Sequence, residues 1–282
     1  MIQFADNQTA PLVRQMWKTC FCDTEEFMDI FFSDKYRNEN TLIYFEEDLP
    51  VASLQMIPYT ITFYGETIPF AYLAGLCTLP EYRKRGYMDQ LIHKAHQVLA
   101  ERGIPLAILI PAEDWLFGFY EKYNYLQVFD KGDQNIPLEE ILKQHPDMDE
   151  AYQAFDGLSR NMDFCVQKSR ADFDTIVKEY SLDGYPPKTN LSGMARIIDP
   201  WLLLKLYAAK NPRIKVRIEV EEDTTYLIKG GWVEAIDGLS GDIQVDLKML
   251  CRLLFGYNTD KLSEPLKTLF PVHHPVMNFM LE

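Results

Sequence analysis

The sequence has no long apolar run, no net positive charge and no regular cysteine framework. It contains nothing near the ~18 uninterrupted apolar residues that a membrane helix requires. Its first residues, MIQFADNQTAP, do not show the basic and then apolar pattern of a secretory signal. Five cysteines without framework spacing are typical of a reducing compartment, so we expect a cytoplasmic protein.

Potential metal ligands are also few and isolated. Cys20 and Cys22 form a C-x-C pair, but no second pair or histidine cluster accompanies it. His93 and His96 are three residues apart on a predicted helix, without a carboxylate at matching spacing. We therefore expect no metal site, buried or incidental thiols, and a solvated helix face for the two histidines.

Acidic residues outnumber basic ones by 42 to 28, which gives a formal net charge of −14. Because phosphate backbones need a basic surface, this charge argues against nucleic acid as a partner. An acidic surface favours cationic ligands through steering. Solubility alone explains the same charge equally well.

The most informative pattern is a strand, a basic glycine turn and a helix. The apolar run Ile68–Leu79 predicts a strand, and the turn after it holds three basic residues before Gly86. The helix that follows is apolar on one face at a period of 3.6, and Gly103 stands where it should end. Such a turn binds anions, because its N–H groups and the helix dipole both favour negative charge. The apolar face comprises Met88, Leu91, Ile92, Ala95, Val98 and Leu99.

Two motifs resemble those of the GNAT acyltransferase superfamily. Arg83-x-x-Gly86-x-Met88 is similar to its R/Q-x-x-G-x-G/A signature, with Met88 in place of a small residue. The element Trp115–Tyr125 is similar to the helix that ends in F-Y-x-x-x-G-F/Y in that family. Asn124 replaces the glycine and also reaches the left-handed conformation easily. Between the motifs, PLAILIP predicts a strand buried on both faces.

The resemblance implies acetyl-CoA as co-substrate. In the family, the turn holds the pyrophosphate and the preceding strand pairs with the pantetheine arm. A backbone amide of that strand, here Cys77 or Thr78, would stabilise the tetrahedral oxyanion. The implied cofactor-binding residues are Leu76, Cys77, Thr78, Arg83, Lys84, Arg85, Gly86, Tyr87 and Met88.

Acyl transfer to an amine also needs an acid and a base. Tyr120 matches the acid tyrosine of the family, and packing is its alternative role. A phenol with a pKa of about 10 can donate to a thiolate whose conjugate acid has a pKa of about 8.5. The α-carboxylate of Glu282, at the end of an apolar tail, is one candidate base, and a frayed terminus is its alternative. Glu113 and Asp114, just past a predicted strand, are the other candidates for amine binding or proton removal.

The amino-acid sequence of residues 41–125 resembles that of the enhanced-intracellular-survival group of bacterial GNAT proteins. Members of that group carry a C-terminal domain that resembles sterol carrier proteins. The C-terminal region of this sequence is compatible with such a domain. It has predicted helices after Asp199 and Asp246 and alternating strands between Ile214 and Ile236. Fuller members have a second acyltransferase-like domain in the middle, which some fifty residues cannot build.

We therefore predict an α/β (α+β) fold in three parts. Residues 1–130 form a mixed, twisted GNAT sheet flanked by helices, and residues 131–185 form a helical connector. Residues 186–282 form a smaller α+β domain of the sterol-carrier type.

The favoured function is an acetyl-CoA-dependent N-acetyltransferase, a cytoplasmic transferase. It would act by direct transfer, through a tetrahedral intermediate, on a primary amine of a cationic acceptor. The candidate acceptors are a polyamine, an aminoglycoside-like compound and a lysine side chain. The alternative is a non-catalytic CoA- or lipid-binding protein. The sequence is compatible with a homo-oligomer, and we expect no membrane-spanning segment.

Overall fold

The computed structural model describes residues 1–131, 136–183, 192–221, 224–236 and 239–280. In these ranges the chain forms two β-sheets with helices packed against them, and this confirms the predicted fold class. Among the described residues, no helix has both the length and the apolar character needed to span a bilayer.

The first sheet has the order β1-β2-β3-β4-β5-β8-β6, and β7 pairs with the far end of β3. Neighbouring strands are antiparallel except for β4 and β5, which are parallel. The strands are β1 (Ile2–Phe4), β2 (Thr41–Glu46), β3 (Leu49–Phe63), β4 (Glu66–Thr78), β5 (Leu106–Leu109), β6 (Leu126–Phe129), β7 (Cys165–Gln167) and β8 (Gly193–Ile197).

The two helices predicted after Asp199 and Asp246 begin there, and Thr24 caps a third helix. The side chains of Thr24, Asp199 and Asp246 each accept a hydrogen bond from a backbone N–H of the helix that follows. The helices are α1 (Ala10–Phe21), α2 (Glu25–Ile30), α3 (Tyr87–Glu101), α4 (Asp114–Tyr120), α5 (Leu138–Gln144), α6 (Met148–Gly157), α7 (Arg170–Asp183), α8 (Pro200–Lys210), α9 (Leu247–Leu254) and α10 (Leu266–Leu269).

Helices cover both faces of the first sheet. Side chains of β4 alternate between two cores, because successive residues of a strand point to opposite faces. Tyr72 and Ala74 face a core that includes Trp17 of α1, whereas Leu73 faces a core under α3 and α4. The predicted apolar face of α3 is buried, and Met88 packs against the same core, as its replacement of a small residue requires.

The prediction of a solvated helix face is right for His93 and wrong for His96. The side chain of His93 is 66% exposed, whereas His96 is only 7% exposed. Its Nε2 lies 3.0 Å from the Tyr125 hydroxyl, and burial lowers the pKa of His96 to about 3. His96 follows Ile92 by four residues and precedes Leu99 by three, so it lies on the apolar face.

The division at residues 130 and 185 stays a prediction. Strand β7 comes from the predicted connector and β8 from the part after it, yet both lie in the first sheet. The second sheet has the order β11-β10-β9-β12, and α8 and α9 pack against it. Its strands are β9 (Lys215–Val220), β10 (Thr224–Lys229), β11 (Trp232–Ile236) and β12 (Ile243–Val245). The likeness of this part to sterol carrier proteins also stays a prediction.

The last described residues run back to the first sheet. The N–H of Val166 in β7 donates to the Val276 carbonyl at 3.0 Å, and the Val276 N–H donates to the Phe164 carbonyl at 2.9 Å. The side chains of Met277 and Met280 are buried in the core of the first sheet. The tail is therefore a docked segment up to residue 280.

Phe279 holds the tail from the other side. It is buried among α5, α6 and α7, with its ring 5.4 Å from that of Phe155. Met277, Phe279 and Met280 are thus all buried among apolar side chains. Leu281 and Glu282 lie outside the described residues.

A buried lysine lies beneath this tail. Lys168 is 5% exposed, and its Nζ lies 4.4 Å from the centre of the Tyr59 ring and 2.9 Å from Sδ of Met280. Lys35 and Asp172 form an ion pair nearby. Burial lowers the pKa of Lys168 to about 7, although the Asp172 charge opposes this shift.

This lysine makes folding stability depend on pH. In the unfolded chain a lysine keeps its proton up to a pKa of about 10.4, whereas folded Lys168 releases it near pH 7. The unfolded state therefore binds more protons between these values, so this contribution to stability rises with pH. We expect Lys168→Met to be more stable than the wild type at pH 7 and to lose this rise, as measured by denaturant unfolding from pH 7 to 10. Lys178→Met, at a lysine that is 54% exposed, should keep the wild-type slope. Equal slopes in both variants would contradict the assignment.

Candidate functional site

Strands β4 and β5 are parallel neighbours that pair over two residues only. Ala71 pairs with Ala107, and Tyr72 pairs with Ile108. Beyond Tyr72, β4 continues to Thr78 with no further partner in β5. Because backbone N–H and C=O groups need partners, the separated part of β4 offers an edge to an extended ligand.

The separated part of β4 contains a bulge. Ser53 pairs with Cys77 while Gln55 pairs with Ala74, so β4 has one more residue than β3 in this interval. Gly75, inside the bulge, has a φ of +57°, and a Cβ there would lie 2.4 Å from the Trp17 ring. Because α1 packs directly against the backbone at the bulge, only glycine fits at this position.

Gln55 is a polar residue of this region that the sequence analysis missed. It is 2% exposed, and within the described part of the chain neither atom of its side-chain amide has a hydrogen-bond partner. Leaving a buried polar group unpaired costs about 1–3 kcal/mol, so such a group beside a functional strand needs an explanation. The only signal in the sequence is one glutamine inside the apolar run VASLQMIP.

The predicted anion-binding turn is present at the end of the same strand. Gly86 has a φ of +79° and precedes α3, and no side chain caps the first amides of that helix. Among the described residues, no atom beyond the adjacent backbone lies within 4 Å of a Cβ placed on Gly86, so this side of the glycine is open. Lys84 also has a positive φ, of 63°. The turn thus presents backbone N–H groups and the positive end of the helix dipole outward.

The basic side chains of the turn are partly engaged. The Nε of Arg83 donates to the Thr78 carbonyl at 3.1 Å. Arg85 forms an ion pair with Glu46 at 3.1 Å, and the Tyr87 hydroxyl donates to the same carboxylate at 2.6 Å. Glu46, the last residue of β2, therefore offsets part of the positive charge.

Tyr120 ends α4 and is 6% exposed. It belongs to the core that contains Leu73 of β4 and Leu109 of β5, the two strands that flank the gap. Its ring lies 6.0 Å from that of Tyr125. Asn124 has a φ of 63°, which confirms the predicted left-handed position.

The other predicted site residues that the structure describes lie on the separated part of β4 and at the start of α4. Leu76 and Thr78 are half-buried on β4, whereas Cys77 is buried with its Sγ 3.2 Å from the Ser53 hydroxyl. Glu113 and Asp114 are exposed at the start of α4, and Glu113 accepts a hydrogen bond from the Trp115 indole at 2.9 Å. Glu282 lies outside the described residues. Among those described, no three His, Cys, Asp or Glu side chains converge as metal ligands would.

A cleft of about 630 Å³ lies elsewhere, between β3, α7 and the π-helical turn after α2. Two ion pairs lie in its lining, Lys35 with Asp172 and Lys178 with Asp34. Residues 57–60 of β3 and Pro69 of β4 line it, none of residues 73–78 does, and we do not assign it to the site.

Comparison with known protein families points to the same part of the chain as the candidate site. Residues 2–128 match the family described as the acetyltransferase (GNAT) domain. The matched part is a little under half of the chain and holds the gap, the bulge, the turn and Tyr120. No curated protein matches the chain.

Solved structures share the fold over almost the whole chain. The GCN5-related N-acetyltransferase from Anabaena variabilis is 17% identical, covers 98% of this chain and 93% of its own, and has a TM-score of 0.60. A probable N-acyltransferase from Enterococcus faecalis is 13% identical, with coverages of 99% and 98% and a TM-score of 0.64. Eis1 from Mycobacterium abscessus is 14% identical, with coverages of 92% and 90% and a TM-score of 0.58.

Proposed function

We propose that this chain is an acetyl-CoA-dependent N-acetyltransferase that transfers the acetyl group directly to a primary amine. The observation that carries the proposal is the gap between β4 and β5, with an anion-binding turn at the end of the same β4. A ligand with a pyrophosphate at one end and an extended amide-containing arm matches both features. The match of residues 2–128 to the GNAT domain supports this assignment.

The cofactor would lie along β4 and across the turn. The amides of Gly86, Tyr87 and Met88 would bind the pyrophosphate, while Arg83, Lys84 and Arg85 supply positive charge. The pantetheine arm would pair with the backbone of residues 76–78, which has no partner in β5.

The chemistry would take place at the bulge. The amine attacks the thioester carbonyl, and a backbone amide of Cys77 or Thr78 stabilises the oxyanion. Collapse of the tetrahedral intermediate breaks the C–S bond, and Tyr120 donates a proton to the departing thiolate. A carboxylate accepts the proton that the amine loses.

We propose Glu282 as the source of that carboxylate. The support is the docked tail, which is buried up to Met280 in the core that also contains Tyr72 and Cys77. A carboxylate near this core would also favour a cationic acceptor, in keeping with the net charge of −14. Glu113 and Asp114 are the alternative, and their exposure suits amine binding at the surface.

A thiol-release assay tests the proposal directly. We expect free CoA to appear when acetyl-CoA is mixed with the chain and polyamines, aminoglycosides or lysine peptides. Calorimetry with CoA alone serves as the control for binding. Binding of CoA without thiol release for any amine would favour the non-catalytic alternative, and absence of CoA binding would overturn the proposal.

The turn provides a second prediction. Gly86→Val should weaken CoA binding by about tenfold or more, because valine is strained at this φ and its side chain points to the ligand side. In the described part of the chain the new Cβ meets nothing beyond the adjacent backbone, so the variant should lose only the free energy of the local strain. Lys84→Ala removes one exposed charge and should weaken binding by less than about fivefold. Calorimetric Kd values check this, and equal, small effects from both variants would contradict the binding mode.

A further inference from the structure

Two thiols meet where α1 crosses β4. Cys20 lies near the end of α1, and its Sγ is 3.5 Å from the carbonyl oxygen of Thr78. Cys77 directly precedes Thr78 on β4, and the side chains of Cys20 and Cys77 pack in the same core, where the two thiols interact electrostatically. One thiol belongs to the covering helix and the other to the strand beside the gap.

The two thiols have opposite environments. Cys20 is half-buried, and the Nε of Arg83 donates to the same Thr78 carbonyl oxygen at 3.1 Å. The contact with Cys77 and then the Arg83 guanidinium lower the pKa of Cys20 to about 7. For Cys77, the contact with Cys20 and its complete burial raise the pKa well above its ordinary value. A partly exposed thiol in an electropositive setting, next to a second thiol, has the features of an oxidation-sensitive cysteine.

We propose that Cys20 is a site of oxidation by hydroperoxides and that Cys77 resolves the product as a Cys20–Cys77 disulfide. The Cys20 thiolate attacks the peroxide and breaks the O–O bond, which gives a sulfenic acid and an alcohol or water. The Cys77 sulfur then attacks the Cys20 sulfur, and its proton leaves with the hydroxyl group as water. Two thiols lose two electrons, and one peroxide gains them.

The disulfide has a defined consequence for β4. It ties α1 covalently to the residue before Thr78, in the part of the strand that the pantetheine arm would occupy. Oxidation should therefore weaken CoA binding. This consequence depends on the proposed function, whereas formation of the disulfide does not.

The chain contains its own controls. Cys22 is exposed and only two residues from Cys20. Cys165 and Cys251 are buried, and burial raises the pKa of the Cys165 thiol to about 11. Cys22 therefore controls for oxidation that depends on exposure alone. Cys165 and Cys251 are buried thiols that should not react.

The experiment treats the whole chain with one equivalent of hydrogen peroxide, alkylates the remaining thiols and maps the peptides by mass spectrometry. The wild type and Cys22→Ser should each lose two hydrogen atoms and link the Cys20 peptide to the Cys77 peptide. Cys20→Ser should form no such link. CoA should bind at least about tenfold more weakly to the oxidised wild type, and dithiothreitol should restore binding.

The rate of alkylation against pH gives a readout that does not depend on the disulfide. In Cys22→Ser, modification of Cys20 should have its midpoint near pH 7, whereas an ordinary thiol has it near about 8.5. An ordinary midpoint, or a disulfide that spares Cys77, would overturn the proposal. A Cys20–Cys77 disulfide with unchanged CoA affinity would support the oxidation site and contradict the proposed path of the pantetheine arm.

Discussion

Replacing Tyr120 with phenylalanine should lower kcat for acetyl transfer by about 10²–10⁴-fold. The KM for acetyl-CoA should change by less than about twofold, since the phenol acts mainly in the transition state. The change removes one buried hydroxyl and keeps the ring that packs against Tyr125. Single-turnover measurements of thiol release should show the whole loss, because they isolate the chemical step.

Tyr123→Phe is the matched control for this prediction. Tyr123 is in the same aromatic segment and also largely buried, and burial raises its pKa to about 12. It stands outside the matched motif position and should keep its wild-type kcat. If Tyr120→Phe retains full turnover where chemistry limits the rate, Tyr120 is a packing residue and another group protonates the thiolate.

A short extension after Glu282 should reduce kcat by about a hundredfold. The added residues would remove the terminal carboxylate from the amine, and the docked segment up to Met280 would remain in place. CoA affinity and the free energy of unfolding should therefore stay at their wild-type values. Steady-state kinetics, calorimetry and denaturant unfolding measure the three quantities.

Glu282→Gln distinguishes the role of the α-carboxylate from that of the side-chain carboxylate. It keeps the α-carboxylate and should change kcat by less than about twofold if that group is the base. A large loss in Glu282→Gln with no loss on extension would assign the role to the side chain instead. An extended chain as active as the wild type would return the base to Glu113 or Asp114, and Glu113→Gln and Asp114→Asn would then test it.

Local rules predicted the turn and its surroundings well. The glycine at residue 86 and the asparagine at residue 124 both have the left-handed backbone that their positions require. The caps at Asp199 and Asp246 also follow from short-range chemistry. These features depend on a few adjacent residues, which the sequence displays directly.

Features that join distant residues were not predictable in the same way. The bulge at Gly75 depends on how Ser53 and Gln55 pair across the sheet, and the thiol pair depends on where α1 crosses β4. The position of β8 between β5 and β6 is likewise a matter of topology. His96 is different, because the helical period alone places it on the buried face of α3, whatever the polarity of its side chain.

The place of β8 in the first sheet has a consequence during synthesis. One edge of β5 receives its partner only from residues 193–197, about ninety residues further along the chain. At ~5–20 residues per second, a ribosome needs on the order of ten seconds to make that stretch. Throughout this time the nascent chain exposes the unpaired apolar edge of β5, which is a template for wrong strand pairing. The interval between β5 and β8 is therefore where we expect chaperones to engage the emerging polypeptide, and where slower translation would increase misfolding.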